Sequence, residues 1–202
     1  DMLSKGTAVT IASSAIAKAA AINRVSAQSG VTATVGQTTV FGSAMSASTT
    51  SGTVTINGFT TAKVTLGSDT EINRTMMATA INNISAQTGV TATNTHDDKQ
   101  GLVLTAADGR NVTLAFDTTG GGTLDAAGTG LGAADTYVGT YELSTADSSP
   151  ITVSTTTSGS IQNSGLRPGT YVANKAQTTS LLRDTAVTVA PTDGTSTTGT
   201  LN

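Results

Sequence analysis

The chain has a single histidine, His96, and it stands in a trio with Asp97 and Asp98. An imidazole beside two carboxylates has the donor types of a metal site or a proton-transfer site. Neither reading finds the other residues it needs. Adjacent residues on one loop seldom converge on a single ion, and there is no cysteine or second histidine to complete a transition-metal shell. A zinc peptidase helix needs His-Glu-x-x-His, which one histidine cannot supply. Nucleophilic catalysis by serine would need His96 as base, with no surrounding pattern to support it, and thiol chemistry is excluded by the lack of cysteine. The trio is therefore read as a solvated turn between two strands. No catalytic, cofactor-binding or metal-ligating residue is assigned, and no cofactor is expected.

Other patterns reduce to local structure. The glycine-rich run from Gly120-Gly121-Gly122 to Gly132 lacks the Gly-Lys-Ser/Thr of a phosphate loop and is read as a flexible linker. Asp108-Gly109-Arg110 is read as turn chemistry, with glycine accepting positive φ and the arginine in solvent. Asn73-Arg74-Thr75, Asn83-Ile84-Ser85 and Asn111-Val112-Thr113 match the N-glycosylation pattern. Two fall on a predicted helix and one on a predicted strand, so they are read as chance matches. Met76-Met77 is read as core and helix surface. The clusters Ser46–Ser51, Thr155–Ser160 and Thr195–Thr198 are candidate acceptors of O-linked sugars.

Composition narrows the class. Of 202 residues, 43 are Thr and 20 are Ser, whereas aromatics are 3% and Trp is absent. Thr suits a pleated strand surface. A core of Val, Ile, Leu and Ala gains only about 1.5–3 kcal/mol per buried side chain, so two small cores fit better than one thick one. The net charge is −3, with no run of Lys or Arg and few aromatics for base stacking, which argues against nucleic acid as a partner. No stretch approaches the roughly 18 apolar residues of a membrane helix, so no membrane partner is expected. No secretory signal is read in these 202 residues. The ends, Asp1-Met2-Leu3 and Leu201-Asn202, read as cuts in a longer chain.

The elements that would position these residues are set by a duplication. Ala21–Thr34 reads AINRVSAQSGVTAT and Ala80–Thr93 reads AINNISAQTGVTAT, 59 residues apart and identical at 11 of 14 positions. One folding unit has been copied. In the second copy, Thr53–Ile56, Asn57-Gly58 and Phe59–Leu66 predict a β-hairpin with a type I′ turn. Ser68-Asp69-Thr70-Glu71 has capping-box spacing, placing Ser68 at the N-cap. A helix is expected to about Thr88, with Met77, Ala80, Ile81 and Ile84 on its apolar face and Gly89 ending it in a left-handed conformation. Strands at Val90–Thr93, Leu102–Leu104 and Asn111–Phe116 follow. The first copy keeps a strand near Ala8–Ile11, a helix over Ser13–Gln28 stopped by Gly30, and a strand at Val31–Val35. A small-residue linker is expected over Gly42–Gly52.

The closing hairpin that the first copy lacks appears later. Leu143-Ser-Thr-Ala146-Asp147 through Ile151-Thr152-Val153 aligns with Leu104-Thr-Ala-Ala107-Asp108 through Val112-Thr113-Leu114. This predicts an α+β fold of two small antiparallel-sheet domains, each with one amphipathic helix packed on its sheet. The inner domain would be 1–45 plus 136–202, and the outer one, 46–135, would be inserted into it. Tyr171-Val172 and Ala186–Val189 are further strand candidates in the tail.

The cassette INGFTTAKVTLGSD, AINNISAQTGVTAT and GLVLTAADGRNVTL resembles the IN motif of bacterial flagellins. Gly165-Leu166 to Tyr171-Val172 also resembles flagellin outer-domain sequence. The resemblance covers most of residues 7–175 and implies a structural, non-enzymatic role. The domains would be the surface-exposed outer part of a flagellar filament, extracellular and without the polymerising terminal helices. The partners it implies are other flagellin subunits, through those absent helices, and O-linked glycans on Ser or Thr. The isolated chain would be a monomer. Similar motifs occur in filament cap and hook–filament junction proteins, which stay open, as does a glycan- or host-surface-binding module.

Overall fold

The computed structural model describes residues 14–117, 124–147, 149–155, 161–172 and 175–178. The expected strands at Ala8–Ile11 and Ala186–Val189 lie outside the described residues. The duplicated segment opens with α1 (Ala15–Asn23) and the single turn α2 (Ser26–Ser29) in its first copy, and with α3 (Thr70–Asn82) and the turn α4 (Ser85–Thr88) in its second. The helices expected to run unbroken to Gln28 and Thr88 are thus interrupted. The cause is the asparagine that ends each main helix. Its carbonyl accepts the hydroxyl of Ser26 or Ser85, at 2.8 and 2.7 Å, which starts a separate turn. Gly30 and Gly89 then end both turns at φ 69°. In each, the glycine N–H returns to a serine carbonyl at 2.8 Å, a left-handed helix stop that residues with a Cβ adopt poorly.

The N-cap of α3 is Asp69, not Ser68. The Asp69 carboxylate accepts the N–H of Ile72 at 3.0 Å, and Glu71 is drawn away from any capping box by tertiary partners. Asp caps as well as Ser does, so the adjacent pair left the sequence reading one residue off.

The strands are β1 (Val31–Val35), β2 (Thr38–Val40), β3 (Ser51–Gly52), β4 (Val54–Ile56), β5 (Phe59–Thr60), β6 (Val64–Thr65), β7 (Thr91–Asn94), β8 (Leu102–Ala106), β9 (Val112–Phe116), β10 (Asp135–Tyr137), β11 (Tyr141–Thr145), β12 (Ile151–Val153), β13 (Gly169–Tyr171) and β14 (Lys175–Thr178). They form small antiparallel sheets, and the fold is α+β. The orders are β1-β11-β14, β10-β9-β4-β5, β2-β8-β7, β12-β13 and β3-β6. Asn57 and Gly58, at φ 51° and 83°, make the tight turn between β4 and β5. The strand expected over Phe59–Leu66 divides, because β6 leaves β4 to pair with β3.

Two buried clusters follow from this pairing. One joins Val54, Ile56, Met77, Ile81, Val90, Leu102, Leu104, Val112 and Leu114 with Val40 and Leu131. The other joins Ala15, Ala19 and Ala33 to Tyr141, Leu143, Ile151 and Val153. In sequence, the first lies wholly between two portions of the second. β1 pairs with β11, Ala33 opposite Leu143. The chain passes from one cluster to the other between Val35 and Thr38, where β2 turns to pair with β8, and returns after Tyr137, which packs on the first cluster from β10.

The described residues of two expected linkers belong to this architecture. Residues 42–52 are pinned by Met45 N–H to Asp98 O and Ser46 N–H to Ala127 O, and they end in β3. Residues 118–123, with Gly120–Gly122, lie outside the described residues. The rest of the glycine-rich run forms α5 (Ala126–Thr129), capped by Asp125, with Leu124 and Leu131 buried at either end. Burying two leucines secures a segment that glycine content alone made look loose.

Candidate functional site

The concentration of charge lies where α3 meets the turn between β7 and β8. Thr70, Glu71 and Arg74 on the helix line an open cleft with His96, Asp97, Asp98 and Lys99 on the turn. Arg74 is the centre, with its side chain 3% exposed. It donates to Glu71, to Asp98, to Asn94 Oδ1 at 3.1 Å and to the Sδ of Met45. Burial opposes its charge, but the hydrogen bonds to Asp98 and Glu71 outweigh that and hold its pKa above the ordinary value. In return, Arg74 lowers the pKa of Glu71 and of Asp98, with Thr70 helping at Asp98. The pKa of Asp97 is lowered chiefly by the backbone N–H of Lys99.

His96 sits on the rim, at φ 57°, with its Nδ1 2.8 Å from Glu71 Oε1 and its side chain 74% exposed. The sequence reading of a turn joining two strands describes its position. That reading missed what the turn is bonded to. Asp98 and His96 both reach Arg74 or Glu71 on α3, more than 20 residues away. Chemically, the carboxylates here are already occupied: Glu71 by Arg74, His96 and Asn94, Asp98 by Arg74, and Asp97 by Lys99 N–H and Gln100. Among the described residues, no three His, Cys, Asp or Glu side chains are grouped to hold a metal ion. The cleft clamps the β7–β8 turn to the helix.

A second polar node is buried. Arg110, expected in solvent, is 8% exposed. It donates Nη1 to the carbonyl of Thr88 at 3.0 Å and grips Asp108 through Nε and Nη2. The same Thr88 carbonyl accepts Asn57 Nδ2 at 3.1 Å, while Asn57 Oδ1 accepts Thr113 N–H at 2.8 Å. The left-handed stop at Gly89 turns the Thr88 carbonyl out of its helix, and an inward carbonyl requires donors. Burial pushes the Asp108 carboxyl up, but the bonds from Arg110 prevail and hold it below the ordinary value.

The remaining sequence candidates disperse. Asn73 is fully buried, with its amide bonded to both Gly67 N–H and Gly67 O, and Asn111 is also buried. Asn83 is exposed on the surface after α3. Met77 is in the core and Met76 packs partly against it. Ser46 and Thr49 are exposed, as is Thr155. Residues 156–160 and 195–198 lie outside the described residues. The sequence reading missed a third helix stop at Thr129-Gly130-Leu131. It has the hydroxyl–Gly–apolar pattern of Ser29-Gly30-Val31 and Thr88-Gly89-Val90, with Gly130 at φ 73°. That three-residue pattern was the signal that could have found α5.

Among the described residues, no helix is long and apolar enough to cross a membrane. No family model matches the chain, and no curated protein matches it.

Proposed function

We propose that this chain forms the surface-exposed outer domains of a bacterial flagellin, a non-enzymatic part of an extracellular filament. The observation that carries the reading is how the motif residues are used. The asparagine of Ala-Ile-Asn, the asparagine of Ile-Asn-Gly and the arginine of Asp-Gly-Arg-Asn each bond backbone groups, at Ala92, at Thr88 and Thr113, and at Thr88. Residues that give the sequence its flagellin likeness are thus scaffold residues, as a packing module requires. The nested clusters support two domains, the second carried within the first, and in a filament the second would project beyond the first. Thr and Ser on the outer strand faces, such as Thr55 with Thr60 and Thr152 with Thr170, would give that projection a neutral hydroxyl surface. Other flagellin subunits would be met through terminal helices, and O-linked glycans through exposed hydroxyls.

Immunogold electron microscopy tests this. Antibodies raised against the chain are expected to label native flagella along their whole length. Label confined to the tip or the hook junction would reassign the chain to a cap or junction protein, and filaments without label would overturn the flagellar reading.

A further inference from the structure

The two passages between the buried clusters run side by side. Gly36 N–H donates to Thr140 O at 2.9 Å, extending the β1–β11 ladder by one pair beyond Val35 opposite Tyr141. The ribbon then forks, one branch entering β2 beside β8 and the other coming from β10 beside β9. The loop that joins β8 to β9, Ala107–Asn111, lies in this fork. A Cβ built on Gly109 would overlap Val35 and the carbonyl of Gly36, and one built on Gly139 would overlap the carbonyl of Gly109 and crowd Thr38 Oγ1. Asn111 Oδ1 accepts the Gly139 N–H at 3.4 Å. The loop itself is stiffened by Asp108 and Arg110, which bond each other and the Thr88 carbonyl.

From this we infer that the 107–111 loop is a wedge that locks the joint between the two clusters, so that they behave as one rigid body. Two bare peptide crossings would swivel about the glycines at 36 and 139. With the loop seated between them, swivelling must move backbone carbonyls already in contact with Gly109 and Gly139 Cα atoms. Close-packed contacts of this kind permit discrete rearrangement, not smooth drift. Glycine is needed at 109 and 139 because a side chain at either would push the wedge out.

The absence of cysteine makes the test direct. Gln28 and Gln87 are exposed at equivalent places in the two copies. Spin labels on a Q28C/Q87C chain are expected to give one narrow distance distribution by pulsed electron resonance. Gly139→Ala, in the crossing and outside both clusters, should lose that single peak while the amide exchange protection of β8 and β11 is kept. If Gly139→Ala fails to fold, Gly109→Ala serves instead, its Cβ pressing from the loop on Val35 and the Gly36 carbonyl. A broad distribution in the parent chain, or an unchanged narrow one in a folded joint variant, overturns the wedge.

Discussion

Asn82 clasps Ala92 by both of its backbone polar groups. Its Oδ1 accepts the Ala92 N–H at 2.8 Å and its Nδ2 donates to the Ala92 carbonyl at 3.0 Å. Asn23 does the same to Ala33, at 2.7 and 2.8 Å. A primary amide complements an extended residue's N–H and C=O together, so it can close a strand edge as a neighbouring strand would. Asn82→Ala should therefore cost about 1–3 kcal/mol, since two backbone groups lose partners at once. Asn82→Asp should cost more than Asn82→Leu, because a carboxylate would face the Ala92 carbonyl. Urea unfolding of the three variants gives the order.

Gly89 and Gly30 share φ 69° but not their surroundings. A Cβ on Gly89 would collide with the Arg110 guanidinium, whereas one on Gly30 meets nothing within 4 Å. Gly30→Ala should cost about 1–2 kcal/mol, the strain of a left-handed residue. Gly89→Ala should cost distinctly more, and the excess should vanish when Arg110→Ala is added. Chemical denaturation of this double-mutant cycle isolates the contact.

Acid should loosen the clamp on the β7–β8 turn. Glu71, Asp97, Asp98 and Asp108 all have folded pKa values below their ordinary ones. Their contribution is fully present above the unfolded carboxylate range, near about pH 4, and is lost as pH falls through the lower folded values. Stability is thus expected to be flat from neutral pH down to that range and to decline below it. Arg74→Met should lower the thermal midpoint at neutral pH and flatten the acid decline. Thermal melts across pH decide it.

Thr38 is 3% exposed, and among the described residues its Oγ1 has no hydrogen-bond partner. Thr38→Val keeps the shape and removes the desolvated hydroxyl. It should stabilise the chain by about 1 kcal/mol, readable as a higher denaturant midpoint.

What the amino acids disclosed ahead of the structure depended on the range of the forces involved. The Asn57-Gly58 turn and the left-handed stops at Gly30 and Gly89 follow from backbone preferences of one or two residues, and the duplication shows itself by identity. The exchange of Ser68 for Asp69 as the cap arose because both neighbours have the same local chemistry. Arg110 reads as solvent-exposed from the sequence because its acceptor, Thr88 O, is 22 residues away and only presents itself once Gly89 has turned the chain. Arg74 is similar: its partners at Asn94 and Asp98 come from a turn that the helix meets only on folding. Local rules reach the elements, and the polar nodes that join them require the tertiary arrangement.

Because Val35 stands directly opposite Tyr141, the chain leaves and re-enters the β1–β11 ladder within roughly 5 Å. That is the span of an ordinary two-residue hairpin turn. Replacing residues 37–139 by Asn-Gly would close the ladder without shifting its register, and the shortened protein is expected to keep the β1–β11 pairing by amide exchange. The same geometry makes the interior unit a cartridge. A lineage could gain, lose or trade it in a single recombination step, and the host sheet would continue in register across the splice.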